Sequence, residues 1–185
     1  MTEIIRTNNF SYLNEIKSLY IATFNTGDSK QYIDQKELDK RLTDILNQGY
    51  ALLAYVEENL AGALLCIPLS FDKDLPIAIS KTYNVDKSIY IAELMVAEKF
   101  RGQQVGKNLL TYCQNTIDST KFNHIFIRVW KKNTIALNLY TNAGFAEVAE
   151  IIQTKQTPDK TGTYNMLKVY LQKNTTHAAI NFKNH

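Results

Sequence analysis

Cysteine, proline and glycine are all scarce in this chain, with two, three and seven residues among 185. So few glycines and prolines exclude a collagen-like repeat, and two cysteines cannot build a disulfide scaffold. Neither Cys66 nor Cys113 belongs to a CxxC pair or to a Cys/His cluster with metal spacing, so no metal is expected. Both sit among apolar neighbours, as buried thiols in a reducing compartment do. No run of about 20 apolar residues occurs, which excludes a membrane-spanning helix. The first ten residues lack the basic segment and apolar run of a secretory signal, so the cytoplasm is the expected location. A dominant charge is missing as well: 21 basic against 18 acidic residues leave a net charge of +3. That balance argues against a general polyanion-binding surface, and no nucleic-acid motif appears.

What is present reads as one globular domain, 45% hydrophobic and 21% charged, long enough to bury a substantial core. The domain is expected over residues 1–172, with a patternless tail over 173–185. A strand at 3–7 precedes a helix in which Leu13, Ile16, Leu19, Tyr20 and Phe24 recur at helical spacing, and residues 25–30 form a turn. A second helix spans 34–47 on the stripe Leu38, Leu42, Ile45 and Leu46, with Gly49 as its C-cap. Residues 50–57 and 60–69 read as a hairpin of two buried strands. The stretch 70–87, with Asp72, Asp74 and Pro76, reads as a long loop. The second half alternates strand 89–96, helix 105–119, strand 123–130, helix 133–143, strand 145–155 and strand 164–171. Neither an internal repeat nor a domain linker is found.

Strand 89–96 feeds Arg101-Gly102-Gln103-Gln104-Val105-Gly106-Lys107, and a helix begins inside that segment. Free backbone N–H groups and the helix dipole there suit an anion such as a pyrophosphate. The Walker A spacing fails and no GxGxxG exists, so neither a typical triphosphate nor a dinucleotide is expected. By itself, the pair Gly102 and Gly106 is equally compatible with ordinary turn chemistry. On the helix that follows the next strand, Asn133 and Tyr140 stand seven residues apart, which brings them to nearly one face about 10 Å apart along the axis. Each has an ordinary alternative: an N-cap for Asn133 and a core aromatic for Tyr140.

Leu94-Met95-Val96, the Arg101–Gly106 turn and residues 133–145, in the order strand, turn-helix, strand, helix, strand, resemble the acetyl-coenzyme A core of the GNAT superfamily of N-acetyltransferases. The resemblance implies a single α/β (α+β) domain with a central mixed, mostly antiparallel twisted sheet of about six to seven strands and about four helices. It implies acetyl-CoA as acyl donor and a small-molecule or peptide amine as acceptor, and it leaves dimerisation open. Leu94, Met95 and Val96 would border the pantetheine arm through main-chain groups. Arg101, Gly102, Gln103, Gln104, Val105, Gly106 and Lys107 would cradle the pyrophosphate. Asn133 would touch the arm and Tyr140 would lie near the sulfur. The family pattern Gln/Arg-x-x-Gly-x-Gly/Ala is met at Arg101 and Gly106, but Gln104 replaces the first glycine. That departure matters only where the backbone needs positive φ or very close ligand approach.

Acetyl transfer needs a neutral amine, and freeing one whose pKa is near 10.4 costs roughly 4 to 5 kcal/mol at pH 7. Glu93, which interrupts the apolar run from Ile89 to Val96, is the candidate base; a salt bridge or solvated edge is its ordinary alternative. Tyr140 is the candidate proton donor to sulfur. The acceptor pocket is expected from the N-terminal helices, with Tyr20, Phe24 and Tyr32, and from the 70–87 segment. A non-catalytic acyl-CoA binding module and a protein N-terminal or lysine acetyltransferase are the competing readings.

Overall fold

The computed structural model describes residues 2–25 and 30–175. Seven strands form one sheet in the order β1-β2-β3-β4-β5-β7-β6. They are β1 (Glu3–Thr7), β2 (Tyr50–Val56), β3 (Asn59–Pro68), β4 (Ser88–Val96), β5 (His124–Trp130), β6 (Ala146–Gln156) and β7 (Thr163–Asn174). Every neighbouring pair is antiparallel except β4 and β5, which run parallel. Five α-helices are described: α1 (Leu13–Phe24), α2 (Gln35–Gln48), α3 (Ile77–Thr82), α4 (Val105–Thr116) and α5 (Thr134–Asn142). The mixed, mostly antiparallel sheet expected from the sequence is therefore present. No described helix is long and apolar enough to cross a membrane.

β2 and β3 read as unbroken apolar runs because both of their faces are buried. Leu52 and Leu64 enter a core beneath α4 and α5 with Leu109, Ile127 and Val169. Their neighbours Leu53 and Leu65 enter a second core beneath α1 and α2 with Ile16, Leu42, Ile45 and Phe126. Burying each such side chain contributes about 1.5–3 kcal/mol, so the sheet is clamped from both sides. Cys66 and Cys113 are free, buried thiols whose sulfurs lie 3.8 Å apart in the first core.

On α2 the expected stripe is buried, and the Asp34 carboxylate caps the helix by accepting from the amides of Lys36 and Glu37. Gly49 ends the helix for a reason other than left-handed backbone. Its φ is −149°, open to any residue, but a Cβ there would stand 1.8 Å from the carbonyl oxygen of Cys66. Space, not conformation, demands glycine.

The segment 70–87 is not the long loop expected from its sequence. It holds α3 and two short 3₁₀ turns, Leu69–Phe71 and Val85–Lys87. Leu69 and Ile79 bury themselves in the second core, and Asp72 and Asp74 reach the sheet. Arg128 of β5 pairs with Asp72 at 3.5 Å and with Asp74 at 3.1 Å. The hydroxyl of Tyr170 donates to Asp72 at 2.7 Å and accepts from Arg128 at 2.7 Å. The side chains of Arg128 and Asp72 are only 6% and 5% exposed, so this network anchors the segment to the sheet. Two smaller differences lie at the chain's end and near its start. The last strand runs on to Asn174, and the expected turn at 25–30 falls largely on residues outside the described ones, as does 176–185 of the tail.

Removing one partner of a buried pair leaves the other charge uncompensated, typically at 3–5 kcal/mol. Arg128→Ala is therefore expected to lower the unfolding free energy in a denaturant titration by about 3 kcal/mol. A loss below about 1 kcal/mol would mean that the network does not hold segment 70–87 to the sheet.

Candidate active site

The site begins where the sheet comes apart. β4 and β5 pair through only four residue pairs, from Ser88–His124 to Ile91–Ile127. Beyond these, the last residues of β4 stay paired to β3 alone, and Arg128, Val129 and Trp130 stay paired to β7 alone. A gap opens between two strands in the middle of the sheet, edged by backbone groups with no facing strand.

A bulge decides which side chains meet this gap. On β3, Leu65 faces Glu93 and the next residue, Cys66, faces Ile91, so Ala92 is an extra residue in β4. Tyr90 belongs to the α2-side core and Ile91 to the α4-side core. Strict alternation would then send Glu93 toward α4; the inserted residue slips the alternation by one and turns it toward α2. There its carboxylate meets the Arg41 guanidinium at 2.6 Å. The apolar setting expected for Glu93 is thus replaced by an ion pair, with the second carboxylate oxygen left without a described partner. The same slip puts Leu94 and Val96 on the α4 side and Met95 in the α2-side core.

Beyond the end of β4, residues 101–104 turn into α4. Gln103 and Arg101 donate their amides to Phe100 and Glu98, and Asn108 donates to Gln104. The N–H groups of Gly102, Gln104, Val105, Gly106 and Lys107 donate to nothing among the described residues. Five open amides at a helix N-terminus form a site for an anion. Val105 is itself core, and Gly106 passes close to Val96 and Leu139, where a Cβ would sit 3.4 and 3.6 Å from their methyl carbons.

Asn133 caps α5 by accepting from the Ala136 amide at 3.1 Å, and it also lines the gap; both readings of its sequence position hold in one geometry. Tyr140 is 5% exposed, lies against Phe145 and lines the same gap. Its hydroxyl has no partner among the described residues. Burial first, and the Glu93 charge second, push this phenol well above its ordinary pKa, so it remains protonated at any physiological pH.

The gap passes through the sheet. Asn133, Ala136 and Tyr140 border it on one face, and Tyr20, Phe24, Arg41, Trp130, Gln153, Lys155 and Lys168 on the other. On that second face it opens into a cavity of about 750 Å³ bordered by Tyr20, Tyr32, Phe71 and Asp72. Phe24 borders the gap, not this larger cavity. Arg41, Gln153, Lys155 and Lys168 were not anticipated from the sequence. Among the described residues no group of three or more His, Cys, Asp or Glu side chains is arranged to hold a metal ion.

The sequence profile of the Acetyltransferase (GNAT) family matches residues 13–145, and thus covers the turn, the β4 and β5 edges of the gap, and α5. The chain belongs to the GNAT family. Solved structures agree on the fold. The ribosomal-protein-S18-alanine N-acetyltransferase from Escherichia coli is 14% identical, with all of each chain covered and a TM-score of 0.68. The ribosomal-protein-alanine N-acetyltransferase from Brucella melitensis is 17% identical over 93% of this chain and 99% of that one, with a TM-score of 0.70. The yncA protein of Salmonella typhimurium, solved with its cofactor acetyl-CoA, is 14% identical over 97% of this chain and 96% of that one, with a TM-score of 0.70. No sequence among the curated proteins matches the chain.

Within the GNAT pattern, the glycine replaced by Gln104 proves to matter for conformation. Gln104 has φ +63° and ψ 9° at the N-cap of α4, and Gly102 has φ +77°. An L-residue in this left-handed region costs roughly 1–2 kcal/mol, part of which glycine would return as unfolded-chain entropy. Gln104→Gly is therefore expected to raise stability by ~0.5–1 kcal/mol in chemical denaturation and, for a turn that offers a ligand only its main-chain groups, to leave acetyl-CoA affinity within about twofold. A destabilised variant would mean that the glutamine side chain holds the turn.

Proposed function

We propose that the protein is an acetyl-CoA-dependent N-acetyltransferase that acetylates a primary amine of a small molecule or peptide by direct attack in a ternary complex. The observation that supports this reading most is the gap itself. It is lined by a buried phenol without a partner, leads to a cavity on the opposite face of the sheet, and has five open amides at the start of α4 beyond its β4 edge. A thin ligand with a charged end and a reactive end fits such a channel.

When bound, acetyl-CoA supplies an acetyl group activated as a thioester. The amides of Gly102, Gln104, Val105, Gly106 and Lys107 hold the pyrophosphate, with Arg101 and Gln103 flanking them. Main-chain groups of Leu94, Met95 and Val96 border the arm like a missing strand, and the Asn133 side-chain amide contacts it. Family membership supports this assignment of roles, and the open turn fits it.

Tyr140 donates a hydrogen bond to the sulfur and passes its proton as the carbon–sulfur bond breaks. An ordinary phenol near pKa 10 is already a weaker acid than a thiol near 8.5, so complete transfer to a free thiolate is uphill by around 2 kcal/mol. The environment of Tyr140 steepens that slope. Proton movement is therefore coupled to bond cleavage, when the sulfur is more basic than the finished thiolate. On the acceptor side, the free oxygen of Glu93 takes up the amine proton through water, while Arg41 fixes the carboxylate's orientation.

Tyr140→Phe is the test. General-acid contributions are commonly 10²–10⁴-fold, so kcat is expected to fall by about 10²-fold while the Kd for acetyl-CoA stays within a few fold. Unchanged turnover, with chemistry shown to be rate-limiting, would remove Tyr140 from this role.

A further inference from the structure

Two lysines of the gap have no part in that reaction. Lys155 of β6 and Lys168 of β7 line it on the α2 face, and Lys155 also borders the larger cavity. Strand pairing explains their meeting: Ile151 stands opposite Lys168 and Gln153 opposite Met166, so alternation sends Gln153, Lys155 and Lys168 to one face. Neither ammonium forms an ion pair or hydrogen bond with any described residue. The arginines on this face are neutralised, Arg41 by Glu93 and Arg128 by Asp72 and Asp74. The cavity's other carboxylates, Glu37 and Asp44 among them, pair with neither lysine.

Both lysines are partly withdrawn from water. Burial lowers the pKa of Lys155, and burial followed by the nearby Lys155 charge draws that of Lys168 down to about 8. Cations held this way without a counter-charge weaken the fold, and a bound anion would relieve them. Between them lies a second unmet group. The Gln153 side-chain amide donates from its nitrogen to Asp74 at 2.7 Å, which fixes its orientation, and its oxygen is buried without a partner.

We propose that the amine acceptor carries a carboxylate, which bridges Lys155 and Lys168 while an N–H of the same molecule meets the Gln153 oxygen. This rests on the acetyltransferase reading and narrows it to amino-acid-like acceptors. Polyamines and other multiply cationic amines are disfavoured, because they would bring positive charge to two uncompensated lysines.

Calorimetric titration of the CoA-loaded protein tests it, using free L-amino acids and, one for one, their carboxamides and decarboxylated amines. At least one acid is expected to bind tenfold or more tightly than its two counterparts. The double variant Lys155→Met, Lys168→Met should abolish that preference without lowering Tm or changing CoA affinity, and Lys155→Arg with Lys168→Arg should retain it. The inference is overturned if no acid outbinds its carboxamide, or if the methionine variant keeps the preference. It is overturned too if Lys168→Met slows every amine equally, which would make Lys168 a proton carrier. CoA binding without a carboxylate preference sinks this inference alone, whereas failure of CoA to bind sinks the acetyltransferase reading and this inference with it.

Discussion

The parting of β4 from β5 is the constraint on which the rest of the molecule turns. A sheet is stable because each backbone N–H and C=O finds a partner, and here two central strands leave theirs open where the sheet is otherwise best packed. The opening is tolerable because each strand keeps its other neighbour: β4 keeps β3, and β5 keeps β7. The two cores that clamp the sheet hold these outer pairs in place, so the gap persists as a fixed feature. What the fold leaves unpaired in its centre, a ligand lying along the strands can pair.

Charge is organised around that gap in two ways. Where ionic side chains serve the fold they are matched, as in the Arg128, Asp72, Asp74 and Tyr170 network that ties segment 70–87 down. Where they face the gap's acceptor side, matching is incomplete: Glu93 has Arg41, while Lys155 and Lys168 have no ion-pair or hydrogen-bond partner among the described residues. Unmet polar groups in otherwise satisfied surroundings are expected where function requires them, because the fold itself gains nothing from leaving them unmet.

The sheet, four of the five helices and the turn into α4 were legible in the sequence because each is written locally. Hydrophobic periodicity marks α2 and α4, the β2 and β3 runs are apolar enough to require burial on both faces, and the Arg101 to Gly106 turn and Asn133 to Tyr140 spacing sit within single stretches of chain. What was not legible depends on distant pairing. Asp72 and Asp74 look like loop residues until Arg128 is brought beside them. The bulge at Ala92 has no composition signal, yet it alone turns Glu93 toward Arg41. Lys168 within Met166-Leu167-Lys168-Val169-Tyr170-Leu171, and Arg128 within Ile125-Phe126-Ile127-Arg128-Val129-Trp130, carried the same signal that singled out Glu93, a lone charge in an apolar strand. Applied to every strand, that rule would have found both.

The central claim is that the gap and the open turn beside it bind the donor. Amide resonances followed by two-dimensional ¹⁵N NMR during titration with acetyl-CoA test it most directly. The account predicts that Gly102, Gln104, Val105, Gly106 and Lys107 shift most, together with Leu94 to Val96 on the gap's edge, while the outer strand β1 stays still. Saturating donor that leaves those amides unmoved, or that moves residues on the far edge of the sheet instead, would contradict it.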